Sequence, residues 1–376
     1  MTNDERPSGF DSVSRRQFIA AAAIGAAVPA VAASKAIEQG PASAPRRLVV
    51  SALDTSALNE NYISLLKTGG VDCMNLSFDG FENSYRFAYE FRDQIVLAKS
   101  VSEIRQAQAA GKIAAFFNSQ VADAFETALF EGNFPLGSFK QMAAKVRASK
   151  SLGLGVQGLC YNVYNVFGSG CLDDEVPLSR AGKRLVEELH KNQIVLDVGG
   201  HTGERTSLDA IEASSGVPIV CSHTNFRALN DNARAISDRL ASAIASTGGV
   251  IGITAVSAFH TRNRGNVGEA PRQATLDEHL DQYDHAKRIV GVDHVGLGPD
   301  FILGAADTFD MDPDDSAAFP TWSMGPGIQS TVKDFEDISK LPNVISGLKR
   351  RGWTESELDK LLGANWLRVY QQVWGS

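Results

Sequence analysis

Cysteine is scarce in this chain. Its 376 residues hold four, with no CxxC pair, too few for a fold held together by disulfides. Positive charge is also in deficit, since 36 Lys+Arg stand against 44 Asp+Glu for a formal net charge of −8. No long basic run breaks that balance. Phosphate binding needs clustered cations, so nucleic acid is a poor partner for this chain. No apolar run reaches the roughly 20 residues of a membrane-spanning helix; the run from Phe18 to Ala33 covers 16. A Gly-rich phosphate turn after the first strand signal is missing too, because Val49-Val50-Ser51-Ala52 leads into none, which argues against an open dinucleotide-binding sheet. What is present, 43% apolar residues and 34 Gly, suits a soluble globular chain of one large α/β domain or two small ones. Its charge favours a small-molecule or peptide ligand.

The N-terminus reads as an address. Ser14-Arg15-Arg16-Gln17-Phe18-Ile19 precedes the Ala-rich run, and Ala30-Val31-Ala32 offers a small-x-small cleavage pattern. That order describes a twin-arginine export signal over residues 1–33. Its removal takes three Arg and three acidic residues, so the charge stays at −8. Residues 34–46 read as a linker, and 47–376 as one domain. The expected location is periplasmic or otherwise exported, soluble after cleavage, with the export machinery as one partner.

From residue 47 on, short β-branched runs alternate with helical patterns. Eight strands are expected: Leu48–Ala52, Val71–Leu76, Ile113–Asn118, Gly155–Tyr161, Ile194–Val198, Val217–Ser222, Gly249–Thr254 and His294–Leu297. Most are apolar throughout, as strands covered on both faces are. Amphipathic stretches between them open with capping residues, Ser102 before Glu103 and Ser237 before Asp238. The tail reads as two closing helices capped by Thr354 and broken at Gly363. Eight βα units predict an α/β fold, a (β/α)8 TIM barrel with extra C-terminal helices. Residues 305–329, polar and rich in Pro and Gly, read as a long loop on its active face.

In such a barrel, chemistry gathers where the strands end. Those ends carry Asp54, Asn118 with Gln120, Tyr161 with Asn162, Asp197 with His201, His223 and Asp300. His201 follows a Gly pair after one strand, and His223 ends the next. Two imidazoles from neighbouring strands can converge on one divalent ion. Asp300, after Gly296-Leu297-Gly298-Pro299, could ligate or act as a general base toward water. Arg234, after the His223 strand, is placed as a rim cation able to hold a carboxylate bidentately. His190, His260, His279, His285 and His294 read as surface or structural. Cys160 and Cys171 either pair or remain packed thiols.

The run from Asp197 to Ile253, which contains HTGERTSLDAIEASSGVPIVCSHTNF, resembles the membrane (renal) dipeptidase family of metallopeptidases. So do YNVYNVFGSGCL (161–172), LSRAGKRLVEEL (178–189), VGVDHVGLGPDF (290–301) and RGWTESELDKLLGANWLRVYQQV (351–373). The resemblance covers most of the chain from about residue 47. It implies a barrel with a two-zinc site that hydrolyses dipeptides or related small amides bearing a free carboxylate. It implies zinc ligation by His201 and His223, the acidic role for Asp300, and a carboxylate grip for Arg234. Tyr161 stands where relatives have a substrate-contacting histidine, which implies a catalytic and substrate-binding role beside Asn162. Homodimers occur in the family, although no residue pattern here marks an interface.

The departures from the family pattern are specific. The first strand ends in Ala52-Leu53-Asp54 where the family has His-x-Asp, so only Asp54 is left there as a weak ligand candidate. Gln120, an equally weak one, stands where the carboxylate bridging two metals is expected, and a neutral amide cannot offset two dications. His201 arrives one residue late, after an extra Gly. The chain therefore reads as a divergent subgroup with an altered metal site, holding one zinc rather than two, or none. Its leading function is an exported dipeptidase-like hydrolase using metal-activated water. The alternatives are a tailoring enzyme acting on an exported peptide-like metabolite, with Tyr161, Asp300 and His223 moving protons, and a non-catalytic periplasmic binding protein.

Overall fold

The first and last strands meet through the main chain. Ala52 N–H donates to Leu297 O at 3.1 Å, and Asp300 N–H donates to Leu53 O at 3.0 Å. Between those ends runs one parallel sheet: β1 (Val50–Ser51), β2 (Cys73–Ser77), β4 (Ile113–Ser119), β5 (Leu154–Gly158), β6 (Val195–Asp197), β7 (Val220–Thr224), β8 (Val250–Ile253) and β9 (Val295–Leu297). The expected eight-stranded α/β barrel is present. A further strand, β3 (Ile95–Leu97), pairs only with the first residues of β4, on the edge whose later residues pair with β5. It is too short to stand out in the sequence.

This computed structural model describes residues 46–77, 81–126, 138–261, 272–303 and 331–375. The expected export signal, the linker up to residue 45 and the loop expected over 305–329 lie outside the described residues. Among the described residues, no helix is long and apolar enough to cross a membrane. Arg47–Ser376 forms one compact unit.

Strand parity sorts the core into two shells. Ile113, Ala115 and Phe117 of β4 join Leu196, Ile219, Cys221 and Ile251 in a cluster shared with the surrounding helices. Ala114 and Phe116, with Val50, Cys73, Val156, Val195, Val220 and Val250, form a second cluster with the C-terminal helix Asn365–Trp374. Successive side chains in a strand point to opposite faces, so this second set fills the barrel. The C-terminal helix covers the barrel's N-terminal end. Phe116 meets Tyr370 and Trp374 edge-on, with centroids 5.2 and 5.3 Å apart, and Trp374 Nε1–H donates to Gly155 O at 3.0 Å. With that end closed, polar residues can face solvent only at the C-terminal ends of the strands.

Two helix boundaries differ from expectation. The helix Val101–Ala109 is capped by Ser100, whose hydroxyl accepts from Glu103 N–H, and not by Ser102, which lies within the helix. Gly363 does not break the closing segment. It sits in a π-helical turn, Lys360–Ala364, that runs on into Asn365–Trp374. A side chain there would meet Leu48 O at 2.0 Å, so the glycine serves close packing against β1's approach. Ser237 and Thr354 cap their helices as expected, Thr354 in a full capping box.

Candidate active site

Leaving β6, the chain turns through Gly199 and Gly200, with φ of 77° and 60°. Left-handed backbone of this kind favours glycine. Space demands it as well at Gly200, where a Cβ would sit 2.5 Å from Arg234 Nη1 and 2.9 Å from His223 O. The Gly pair thus absorbs the extra residue and delivers His201 beside His223. Their rings lie 4.9 Å apart, centroid to centroid, at 56°.

Each imidazole is held through Nδ1. His201 Nδ1 lies 2.6 Å from Asn162 Oδ1. An amide oxygen only accepts, so Nδ1 carries the proton and Nε2 keeps its lone pair. His223 Nδ1 lies 2.8 Å from Ser222 Oγ, and Ser222 N–H donates to Asp197 Oδ1 at 2.8 Å. His223 Nε2 is buried and has no hydrogen-bond partner. Burial, with Arg234 close by, holds both rings well below the usual imidazole range, so both are neutral at pH 7.

Asn162 was expected to touch substrate. The structure gives it a different position: its backbone is left-handed at φ 64° and its side-chain oxygen is occupied by His201. Its neighbour Tyr161 is the more open of the two. The Tyr161 ring stacks on His201 with centroids 3.9 Å apart and an interplanar angle of 21°. Burial, with Asp300 nearby, pushes its hydroxyl up to about 12, partly offset by Arg234, so it is a neutral donor.

Arg234 departs furthest from its expected place. It is not a rim residue but is 2% exposed. Its guanidinium lies over the Phe259 ring at 5.4 Å, and Nε and Nη1 have no hydrogen-bond partner. Its main chain is fixed by Thr224 Oγ1, which donates to Arg234 O at 3.0 Å. A buried guanidinium with free donors facing two neutral imidazoles is a receptor for an anion.

Asp300 follows β9 with φ 58°. Burial pushes its carboxyl up to about 7, Arg234 tempers the shift, and Asp54 adds to it. Asp54 accepts from Ser56 N–H at 2.9 Å and is held by burial at about 6. Gln120 is half-buried beyond β4. Among the described residues, no three His, Cys, Asp or Glu side chains group around a point able to hold a metal. The four cysteines are free; Cys160 and Cys171 lie beside Asn165 and Asn162 respectively.

Sequence reasoning passed over Ser222 and Asn75. Ser222 orients His223, and Asn75 is a fully buried amide between the apolar Met74 and Leu76. That polar residue between apolar neighbours was the available signal.

One family model matches most of the chain. The model described as membrane dipeptidase, peptidase family M19, matches residues 24–318 and 323–374. A Klebsiella pneumoniae protein described by its place in the pqqA 5′ region is 29% identical over 245 residues, 63% of this chain and 79% of that protein. The dipeptidase tcpJ of Claviceps purpurea is 26% identical over 196 residues, 52% of this chain but only 38% of that protein. Among solved structures, an amidohydrolase from Pseudomonas aeruginosa superposes with a TM-score of 0.72 at 25% identity, covering 88% of this chain and 97% of that one.

Proposed function

The chain belongs to the membrane dipeptidase family of hydrolases, and from that premise we propose that it cleaves the amide bond of dipeptides or similar small amides bearing a free carboxylate. The observation that carries this is Arg234, a buried guanidinium with two unpartnered donors beside His201, His223, Tyr161 and Asp300. A substrate carboxylate supplies the missing acceptors and fixes the scissile bond in register.

The family is metal-dependent. Two ions do not fit these residues, because Gln120 offers no charge and no third acidic or nitrogen ligand joins the histidine pair among the described residues. One ion fits: His201 Nε2 is left free by the Asn162 bond, and His223 Nε2 is buried without a partner. We assign His201 and His223 as ligands of a single zinc, with Asp54 and Gln120 outside its set. Catalytic zinc sites ordinarily take three protein ligands, so an ion on this pair alone would be held loosely. When bound, zinc supplies Lewis acidity to water and to the scissile carbonyl.

The protein's own groups do the rest. Asp300, ionised above about pH 7, accepts a proton from the attacking water and returns it to the departing amine nitrogen as the C–N bond breaks. Tyr161, neutral and close to both Asp300 and Arg234, donates a hydrogen bond to the carbonyl oxygen as charge develops there. The stacked Tyr161 and His201 rings wall the site on one side. Export by the Arg15-Arg16 signal completes the reading and places the mature protein in the periplasm or beyond.

The test compares alanyl-alanine with alanyl-alaninamide as substrates for the zinc-supplemented protein and its Arg234→Met variant. The wild type should prefer the free carboxylate by about 100-fold in kcat/KM, on the order of one charged bidentate contact. The variant should lose that preference. Equal turnover of both by the wild type would overturn the carboxylate reading.

A further inference from the structure

Asp197 ends β6 on the inner face of the barrel, and no step of the hydrolysis uses it. Val195, two residues before it, lines the barrel, and Leu196 between them faces the helices. Asp197 is 7% exposed, and its Oδ1 accepts from Ser222 N–H at 2.8 Å on the neighbouring strand β7. Burial raises its carboxyl to about 6 against the opposing pull of the Ser222 hydroxyl and N–H, so it is a carboxylate at pH 7. The Ser222 hydroxyl, which reaches this carboxylate, also lies 2.8 Å from His223 Nδ1. Carboxylate, hydroxyl and imidazole therefore stand in a row, each bonded to the next.

Local backbone fixes the row. On β7, Val220 lines the barrel and Cys221 faces the helices. Strict alternation would send His223 outward with Cys221. The pairing with β8 shifts register between Cys221 and Thr224, and an irregularity of this kind re-aims a side chain. His223 thus turns toward His201, directly after Ser222. The Ser222 backbone is pinned as well. Its carbonyl oxygen packs against Gly252 and Gly298, where a Cβ would lie 2.0 and 1.9 Å from it.

Proton counting gives the row a direction. A serine hydroxyl has one proton and two lone pairs, and a carboxylate only accepts. With the Ser222 proton turned to Asp197, the oxygen accepts from His223, so Nδ1 carries the ring proton. The reverse order would aim oxygen lone pairs at a carboxylate. It would also place an N–H at His223 Nε2, which is buried with no acceptor.

We propose that Asp197 is a positioning residue: through Ser222 it fixes the proton of His223 on Nδ1, so that the Nε2 lone pair is left for the site. This deepens the amide-hydrolase reading, on which its use rests, because a nitrogen that carries a proton cannot ligate zinc.

The test reads the ring nitrogens directly, by long-range proton–nitrogen NMR correlation on the chelator-treated full chain at neutral pH. A His223→Gln variant identifies the His223 signals among the seven histidines. The wild type should carry the His223 proton on Nδ1. Asp197→Asn keeps an acceptor for Ser222 N–H but turns an amide donor toward the Ser222 oxygen. The hydroxyl must then donate to His223, and the ring proton should move to Nε2. Zinc affinity, read by competition with a chromogenic chelator, should fall about 10- to 100-fold with it. Ser222→Ala should give a mixture of the two forms, and Ser222→Thr, which keeps the hydroxyl, should restore the wild-type form. That pair decides the matter if Asp197→Asn does not fold. A His223 proton on Nε2 in the wild type, or one that stays wholly on Nδ1 in Asp197→Asn or in Ser222→Ala, would overturn the proposal. A proton that moves while zinc affinity holds would uphold the row and remove His223 from the zinc ligands instead.

Discussion

Asn162 Oδ1 and His201 Nδ1 are 2.6 Å apart, and that contact decides which imidazole nitrogen faces the reaction. Groups that orient a metal-binding histidine through its second nitrogen commonly affect affinity 10- to 100-fold. Asn162→Ala should therefore weaken zinc binding by about that factor, read by competition against a chromogenic chelator. Asn162→Asp, which keeps the acceptor, should restore it. An unchanged affinity in the alanine variant would show that the tautomer is set elsewhere.

Asp300 sets the expected pH dependence. Its carboxyl is raised to about 7, so it is protonated and useless as a base below that pH, and kcat/KM should rise as pH passes through about 7. The sign for folding is the reverse. A raised carboxyl contributes most to stability below its unfolded value near 3.8 and loses that contribution as pH climbs through about 7. Asp300→Asn should remove the acidic limb and lower kcat by about 10²- to 10⁴-fold. Asp54→Asn should move the limb to lower pH, because the Asp54 charge is one reason Asp300 is raised. A limb unaffected by either change would place the base elsewhere.

Gly200 is the tightest point of the site's backbone. Gly200→Ala puts a methyl group at φ 60°, within 2.5 Å of Arg234 Nη1 and 2.9 Å of His223 O. The cost should be about 1–3 kcal/mol in denaturant unfolding. Binding of carboxylate ligands should fall with it, because Arg234 must move. A fully stable variant with unaltered ligand affinity would contradict the packing described.

The C-terminal helix should matter for stability and not for chemistry. Trp366 is fully buried and shares a cluster with Val50, Val195 and Val250. Trp366→Ala should cost about 3–5 kcal/mol, with kcat unchanged per folded molecule. A selective loss of kcat at full folding would show that the plug reaches the active end.

The barrel was legible because buried parallel strands are apolar on both faces, and seven of the expected strands span five or more residues of that kind. β3 escaped because three residues are too few to show a period. The cap at Ser100 was misplaced by two residues because Ser102 and Ser100 both precede acidic or helical signals, and only geometry distinguishes them. The positions of His201, His223 and Asp300 at the barrel mouth could be read from strand ends alone. The burial of Arg234 could not, because an arginine in a loop is usually solvated, and the ring of Phe259 that covers it comes from another segment. The same holds for Asn162, whose partner lies 39 positions away. Long-range pairing of that kind leaves no local mark in a sequence.

The most direct measurement is zinc content and dipeptide hydrolysis on the same preparation. The protein and its His201→Ala and His223→Ala variants would be dialysed against zinc, quantified by mass spectrometry and assayed with alanyl-alanine. The account predicts at most one zinc per chain, hydrolysis that tracks it, and loss of both in either variant and after chelation. Two zinc ions per chain, or hydrolysis that persists at full rate with none, would contradict it.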